Sequence, residues 1–167
     1  MIYLTEALSS IHQKEKFSCG IEMLDNYLHH QAAQDIKRKL SVCFILNEKE
    51  TNFIKGYYTL SNYSISLHTI PENIQKKLPK AYQSVPTTLL GRLAVDLRFH
   101  GQGVGQLILI DALKRCYETS KSIGSFAVIV DPIDETAENF YKKFDFIKLP
   151  DSGKMFLTMK TINQLFE

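Results

Sequence analysis

The chain has 167 residues, of which 44% are hydrophobic and 23% are charged. These values are typical of one globular domain with a buried core and exclude extensive disorder. A net charge of +2 does not require a polyanionic partner, although it leaves room for a local basic patch.

The first half of the chain predicts a short strand, an amphipathic helix and then further strands. Apolar residues recur at helical spacing at Ile21, Leu24, Leu28, Ala32 and Ile36, and the pattern ends in three basic residues at 37–39. The remaining predicted elements are a strand at 3–7, strands at 41–46 and 53–66 around a polar turn at 47–52, and a helix at 71–77.

The second half predicts a strand at 89–95, a glycine-rich loop and a helix at 106–117. A short apolar strand at 126–130 follows, and then a helix at 134–143 that Asp134 caps. The closing elements are strands at 144–148 and 155–159 and a helix at 161–166. This order predicts a mixed α/β domain rather than a strictly alternating parallel one, and no linker interrupts it.

Cysteine usage and hydropathy favour a reducing compartment. Cys19, Cys43 and Cys116 are odd in number and lack the paired spacing of a zinc site, so we expect buried thiols and no metal. The first residues do not resemble a signal peptide, and no apolar run approaches transmembrane length. We therefore expect a cytoplasmic protein.

The most informative segment is the run Arg98-Phe-His-Gly101-Gln-Gly103-Val-Gly105, between an apolar strand and a helix. Three alternating glycines leave the backbone amides accessible, and the beginning of a helix adds unsatisfied N–H donors and the positive end of its dipole. This combination predicts a phosphate site, in particular one for the pyrophosphate of a nucleotide-containing cofactor. A tight strand–helix turn without a ligand is the alternative.

Two common phosphate loops do not fit this segment. A Walker A loop ends in Gly-Lys-Ser/Thr, a triplet that the sequence lacks. The dinucleotide fingerprint fails at its last glycine, which would be Gln106 or Ile108. Arg98, Gly101 and Gly103 satisfy instead the pattern Arg/Gln-x-x-Gly-x-Gly/Ala, which resembles the acetyl-coenzyme A (acetyl-CoA) loop of the GNAT N-acetyltransferases.

The GNAT resemblance implies a fold and a cofactor site. The fold is a single domain over residues 1–167, with a central, mostly antiparallel sheet that contains splayed parallel strands and is flanked by helices. The backbone of the strand before the loop would contact the pantetheine arm, and the loop would hold the pyrophosphate. The cofactor-binding residues so implied are Leu93, Ala94, Val95, Arg98, His100, Gly101, Gln102, Gly103, Val104, Gly105, Asn139 and Phe140.

A second motif, Ala137-Glu-Asn-Phe-Tyr141-Lys-Lys-Phe-Asp-Phe146, resembles the GNAT element that closes the cofactor site. It implies that Tyr141 is the general acid for the departing thiolate. A thiol has a pKa of about 8.5 and a tyrosine hydroxyl about 10, so a tyrosine beside the sulfur is a workable proton donor. The phenylalanines of the motif also fit core positions. The family usually has glycine where Asp145 stands, and a smaller residue where Pro132 stands. Asp96, Glu138 and His68 are candidates for a general base, and none is favoured.

Further stretches resemble one GNAT subgroup, the toxins of type II toxin–antitoxin modules. They are Phe17-Ser-Cys-Gly20, Leu24-Asp-x-Tyr-Leu28, Gly56-Tyr-Tyr-Thr-Leu-Ser61, residues 89–96 and residues 156–161. The resemblance implies acetylation of the α-amino group of aminoacyl-tRNA, which blocks translation, together with a ribbon-helix-helix antitoxin and a homodimer. A GNAT enzyme for a small amine or a protein N-terminus, or a non-catalytic acetyl-CoA-binding module, are the alternatives. Basic clusters such as residues 37–39 suit RNA or a solvated face equally.

Overall fold

The computed structural model describes residues 2–150 and 152–167. In this part of the chain, seven strands form one sheet in the order β1-β2-β3-β4-β5-β7-β6. The strands are β1 (Glu6–Ala7), β2 (Val42–Glu48), β3 (Phe53–Ser66), β4 (Ser84–Val95), β5 (Ala127–Val130), β6 (Ile147–Lys148) and β7 (Met155–Thr158). The helices are α1 (Glu22–Asn26), α2 (Ala32–Lys37), α3 (Glu72–Gln75), α4 (Val104–Ser120), α5 (Glu135–Lys142) and α6 (Met159–Asn163).

The sheet is mostly antiparallel, as the sequence predicts. Antiparallel pairing joins β1 to β2, β2 to β3, β5 to β7 and β6 to β7. The parallel pair is β4 and β5, whose register aligns Thr88 with Val128 and Leu89 with Ile129. The predicted mixed α/β class is therefore confirmed.

The chain divides into two compact units, which are Met1–Ser61 with Leu90–Arg115, and Asn62–Leu89 with Cys116–Glu167. The core of the first unit packs the α1–α2 layer against β2 and β3. Leu28 and Ile45 are fully buried in it, and Phe17 meets Tyr57 edge to face with ring centroids 5.4 Å apart. The apolar helical face predicted from the sequence therefore faces the sheet.

A π-helical turn at Tyr27–Gln31 joins α1 to α2, where the sequence predicts one regular helix. The apolar residues Leu24, Leu28, Ala32 and Ile36 follow one another in steps of four. Such steps drift by about 40° each around a regular α-helix. The wider turn offsets this drift, which keeps Leu24, Leu28 and Ala32 buried together.

A buried carboxylate fastens the N-terminal segment of the first unit to α4. Asp111 accepts hydrogen bonds from the Leu4 N–H (2.6 Å), the Thr5 hydroxyl and the Tyr58 hydroxyl (2.8 Å). Arg115, one turn further along α4, donates to the Tyr58 hydroxyl at 3.0 Å. Because Leu4 donates to this carboxylate, β1 is shorter than the predicted strand at 3–7 and begins at Glu6.

The second unit is built around β5, whose four residues are all buried between β4 and β7. Its apolar cluster includes Ile65, Ile129 and Phe156. Asp134 caps α5 as predicted, since its side chain accepts the Ala137 N–H at 2.8 Å.

Other boundaries differ from the predicted ones by a few residues. β4 begins at Ser84 rather than residue 89, and α4 extends from Val104 to Ser120. β6 contains only Ile147–Lys148, because Asp145 turns the chain with a φ of 66°. Thr158 caps α6 by accepting the Thr161 N–H, so this helix begins at Met159 rather than at residue 161.

All three cysteines are buried, as expected. Burial raises the pKa of the Cys43 thiol to about 12 and that of Cys19 to about 11, so both stay protonated near neutral pH. None of the described helices is long and apolar enough to cross a membrane. Within residues 2–150 and 152–167 no group of acidic, histidine and cysteine side chains is placed to hold a metal ion.

Candidate active site

The glycine loop connects β4 to α4 and contains a row of backbone amides without partners in the described part of the chain. A short 3₁₀ turn at Leu97–Phe99 follows β4, and α4 begins at Val104. Gly101 and Gly103 adopt φ values of 74° and 76°, which a residue with a Cβ atom rarely adopts. None of the N–H groups of residues 101–106 donates to another described residue.

The two loop glycines with positive φ have open space on the side where a side chain would stand. A Cβ atom built on Gly101 or on Gly103 would meet no atom within 4 Å. The glycines are therefore required by their backbone conformation and not by crowding from neighbouring protein atoms. Free amides at the N-terminus of the 17-residue helix α4 form a site suited to an anion.

Asp96 holds the beginning of the loop in place. Its carboxylate, which is 2% exposed, accepts hydrogen bonds from the Arg98 N–H (2.9 Å), the Arg98 Nε (2.8 Å) and the Ser18 N–H (3.1 Å). Burial opposes ionisation of this carboxyl, but the hydrogen bonds from Arg98 and Ser18 outweigh that effect and lower the pKa of Asp96. The carboxylate is thus fully engaged and is not available as a base.

Arg98, for which the sequence predicts contact with a pyrophosphate, lies on Asp96. Its Nη2 donates to Asp96 Oδ2 at 3.1 Å, and its guanidinium covers the Phe53 ring at 4.8 Å from the centroid. Part of the side chain remains exposed, so this arginine keeps donors that a ligand can reach. Its role in pyrophosphate binding stays a prediction.

The other predicted cofactor residues near the loop divide into core and surface positions. Ala94 and Val104 are buried, whereas Leu93, Val95 and Gly105 are half-buried. The exposed His100 places its Nε2 2.6 Å from the Val95 carbonyl oxygen, and the exposed Gln102 donates to the Arg98 carbonyl at 3.2 Å. These two side chains brace the loop against its own backbone.

Tyr141, the predicted acid, lies on α5 in the second unit. Its ring is buried and packs between Phe140 and Phe146, with centroid distances of 5.3 Å to each. Its hydroxyl has no hydrogen-bond partner among the described residues. Burial raises the pKa of Tyr141, so the hydroxyl stays protonated near neutral pH. Asn139 is exposed on the same helix, and Phe140 is half-buried.

Comparison with known proteins adds to this geometry. A family profile described as an acetyltransferase (GNAT) domain matches residues 82–157. The chain is 34% identical over 150 residues to a tRNA-acetylating toxin of Mycobacterium tuberculosis. The aligned region covers 89% of this chain and 87% of the relative. The chain belongs to the GNAT acetyltransferases.

Two solved GNAT structures resemble the whole chain. One is the toxin AtaT complexed with acetyl-methionyl-tRNAfMet, with 29% identity, a TM-score of 0.90 and coverage of 98% of each chain. The other is a variant of AtaT bound to acetyl-CoA and to the C-terminus of the antitoxin AtaR, with 26% identity and a TM-score of 0.81, covering 97% of this chain and 96% of that one.

Two of the three base candidates are held by cations. Both carboxylate oxygens of Asp96 already accept hydrogen bonds from Arg98 and Ser18. Glu138 forms ion pairs with Lys148 (2.6 Å) and Lys142 (2.9 Å), and hydrogen bonds from Lys148 and Lys142 lower its pKa. His68 is exposed in the 3₁₀ turn at Leu67–Thr69. The geometry of the described residues, like the sequence, therefore favours none of the three candidates as the general base.

Departures from the family pattern are accommodated locally. Asp145 adopts a φ of 66° at the position where GNAT proteins usually have glycine, in line with the tolerance of aspartate for this conformation. The sequence reading missed the structural role of Asp96 and the stacking of Arg92 on Tyr27, whose ring centroid lies 3.4 Å from the arginine Cζ. Helical periodicity does not signal the second contact, because its two partners are 65 positions apart.

Proposed function

We propose that this GNAT acetyltransferase transfers the acetyl group of acetyl-CoA to the α-amino group of an aminoacyl-tRNA and thereby acts as a toxin that blocks translation. The observation that carries the proposal is the row of amides at residues 101–106 that have no partner among the described residues, in a chain 34% identical to a tRNA-acetylating toxin. Acetylation removes the nucleophile that peptide-bond formation needs, so a charged tRNA becomes useless to the ribosome.

The residues of the loop fit the pyrophosphate of acetyl-CoA. The amides of residues 101–106 have no partner in the described part of the chain and lie at the positive end of α4, so two phosphate groups would find donors and a favourable dipole there. The backbone of Leu93, Ala94 and Val95 would hold the pantetheine amides, and Asn139 and Phe140 would contact the same arm. Acetyl-CoA supplies an activated acyl thioester, which an amine attacks without metal assistance.

Tyr141 is suited to serve as the acid in this reaction. Its hydroxyl is protonated and forms no hydrogen bond within the described chain, so it can donate to a sulfur that becomes negative as the C–S bond breaks. The packing of the Tyr141 ring against Phe140 and Phe146 fixes the ring and therefore the position of the hydroxyl oxygen. We assign the loss of the proton of the acceptor amine to water, because Asp96 and Glu138 are both engaged in ion pairs and nothing favours the exposed His68 as a base.

The proposed partners follow from the same function. An aminoacyl-tRNA is the acceptor, and an antitoxin of the ribbon-helix-helix class keeps the enzyme silent. We propose a homodimer in the cytoplasm, where charged tRNA and acetyl-CoA meet. The AtaT structure with the AtaR C-terminus supports an antitoxin partner for this chain.

The test uses purified protein, labelled acetyl-CoA and a matched set of acceptors. Charged tRNA should gain label, whereas uncharged tRNA and tRNA carrying an N-blocked amino acid should not. Polyamines and peptides with free N-termini are included in parallel. If they gain label and charged tRNA does not, the enzyme acts on a small amine or a protein N-terminus. Binding of acetyl-CoA without transfer to any acceptor would indicate a sensor. Either result refutes the proposal.

A further inference from the structure

Arg92 occupies an unusual position for a cation. It lies on β4 directly before Leu93–Val95, and it alternates with Leu90 and Ala94, both of which are buried. Alternate residues of a strand point to one face, so Arg92 shares the face on which Ala94 joins the apolar cluster that contains Tyr27. The side chain is half-buried. A charge in this place is expensive unless something binds it.

The guanidinium is held flat on an immobilised ring. Arg92 Cζ lies 3.4 Å from the centroid of Tyr27. The Tyr27 hydroxyl donates to Asp35 Oδ2 at 2.9 Å and lies 3.0 Å from Ser41 Oγ. The ring is also nearly parallel to that of Tyr57, at 16°. Tyr27 therefore cannot turn without breaking these contacts, and the arginine stacked on it is oriented in advance.

The side-chain N–H groups of Arg92 have no partner among the residues that the structure describes. Within residues 2–150 and 152–167 the guanidinium forms no ion pair and donates no hydrogen bond. The two other arginines with stacked guanidiniums differ, since Arg98 donates to Asp96, and Arg115 donates to Tyr58 and Thr5. A stacked guanidinium engages its flat face and leaves five N–H donors in the plane. This geometry suits a ligand with two oxygens side by side, such as a phosphate.

The position of Arg92 on β4 favours a phosphate of the acceptor over the pyrophosphate of the cofactor. The proposed cofactor contacts run from the loop, which takes the pyrophosphate, through Val95 to Leu93. Arg92 comes next, about 10 Å along the strand from Val95 at ~3.3 Å per residue, on the side away from the pyrophosphate loop. The acceptor has to approach the reacting end of the arm, and an aminoacylated RNA brings phosphodiesters within one nucleotide of its amine.

We propose that Arg92 binds a phosphodiester near the 3′ end of the acceptor RNA and so positions the amino acid for acetylation. The proposal rests on the proposed function. Tyr27 acts through Arg92 as a positioning residue, because it fixes the plane of the guanidinium.

The experiment tests whether Arg92 contacts one particular phosphate of the acceptor RNA. Aminoacylated RNA minihelices are prepared with a single neutral methylphosphonate at each of the last three linkages in turn. Their dissociation constants are measured by filter binding with wild type, Arg92→Gln and Arg92→Lys. For wild type, one neutral linkage should weaken binding about tenfold, as expected for a hydrogen-bonded charge pair.

Arg92→Gln should bind the unmodified RNA about tenfold more weakly than wild type, and the neutral linkage should not weaken its binding further. The slope of its log affinity against log salt concentration should be smaller in magnitude by about 0.7. Arg92→Lys keeps the charge and should lie between the two.

Controls separate this contact from general electrostatics. Arg38→Gln removes an exposed cation at the end of α2 and should leave the penalty of the neutral linkage intact. The affinity for acetyl-CoA should be that of wild type for Arg92→Lys, and its melting curve should show that the variant is folded at the assay temperature. If each neutral linkage weakens binding to wild type and to both Arg92 variants equally, the Arg92 inference is refuted while acetylation of charged RNA still stands. If wild type neither binds nor acetylates charged RNA, the proposed function fails as well.

Discussion

Replacing Asp96 by asparagine should loosen the beginning of the glycine loop by a predictable amount. The two carboxylate oxygens each accept two hydrogen bonds, from the Arg98 N–H and Nε on one oxygen and from the Ser18 N–H and Arg98 Nη2 on the other. An amide keeps one oxygen, so two of these bonds are lost and an NH₂ group faces two donors. Hydrogen bonds to charged groups contribute about 1.5–3 kcal/mol each. Arg98 is 45% exposed, so water replaces part of this loss. We expect a net destabilisation of about 2 kcal/mol.

Urea unfolding at equilibrium measures this effect directly. With an m-value of about 2 kcal/mol per molar urea, the midpoint of Asp96→Asn should fall by about 1 M at pH 7. Glu138→Gln is the matched control, because its carboxylate pairs with Lys142 and Lys148 at the surface. It should leave the midpoint within the error of the measurement.

The pH dependence tests the same reasoning independently. The folded protein lowers the pKa of Asp96, so the stabilisation that ionised Asp96 provides is complete above the unfolded value of about 4. It is lost as the pH falls through the lower folded value. The difference between wild type and Asp96→Asn should therefore shrink below about pH 4. A difference that is absent at pH 7, or that stays constant on acidification, would refute the role assigned to Asp96.

Three further substitutions address the catalytic and structural proposals. Tyr141→Phe should lower kcat about 100-fold or more, because it removes the proposed acid. The melting temperature should not change, because the lost hydroxyl has no hydrogen-bond partner in the described chain. Near-normal turnover would show that Tyr141 is not the acid. Gly103→Ala should cost about 1 kcal/mol of stability, since its Cβ has space but its φ of 76° is strained. Calorimetry should show acetyl-CoA binding weakened about tenfold or more, and undiminished affinity would argue against the loop as the pyrophosphate site. Asp111→Asn should lower the free energy of unfolding by about 3 kcal/mol, because buried Tyr58 and Thr5 lose a charged acceptor, and a loss below about 1 kcal/mol would contradict that network.

Local patterns in the sequence were sufficient to predict the elements that build the loop. Helical periodicity located the α1–α2 layer, the spacing of Gly101 and Gly103 located the loop, and Asp134 located the beginning of α5. Each of these signals involves residues within a few positions of one another. The mostly antiparallel sheet followed from the order of elements together with the GNAT resemblance.

Contacts between distant parts of the chain were not predictable in the same way. Asp96 binds the N–H of Ser18, 78 positions away, and Leu4 donates to Asp111 across 107 positions. A sequence pattern shows that a carboxylate is present but not which donors the fold brings to it. For that reason the sequence left Asp96 among the candidate bases, whereas the structure shows that its oxygens are occupied.

The most direct measurement of the central claim is the mass of the amino acid released from charged tRNA after incubation with the enzyme and acetyl-CoA. Mild base cleaves the ester and frees the amino acid for mass spectrometry. We expect the released amino acid to carry one acetyl group on its α-nitrogen with wild type, and almost none with Tyr141→Phe. An unmodified amino acid with the wild-type enzyme, or an acetyl group found on the RNA itself, would contradict the account.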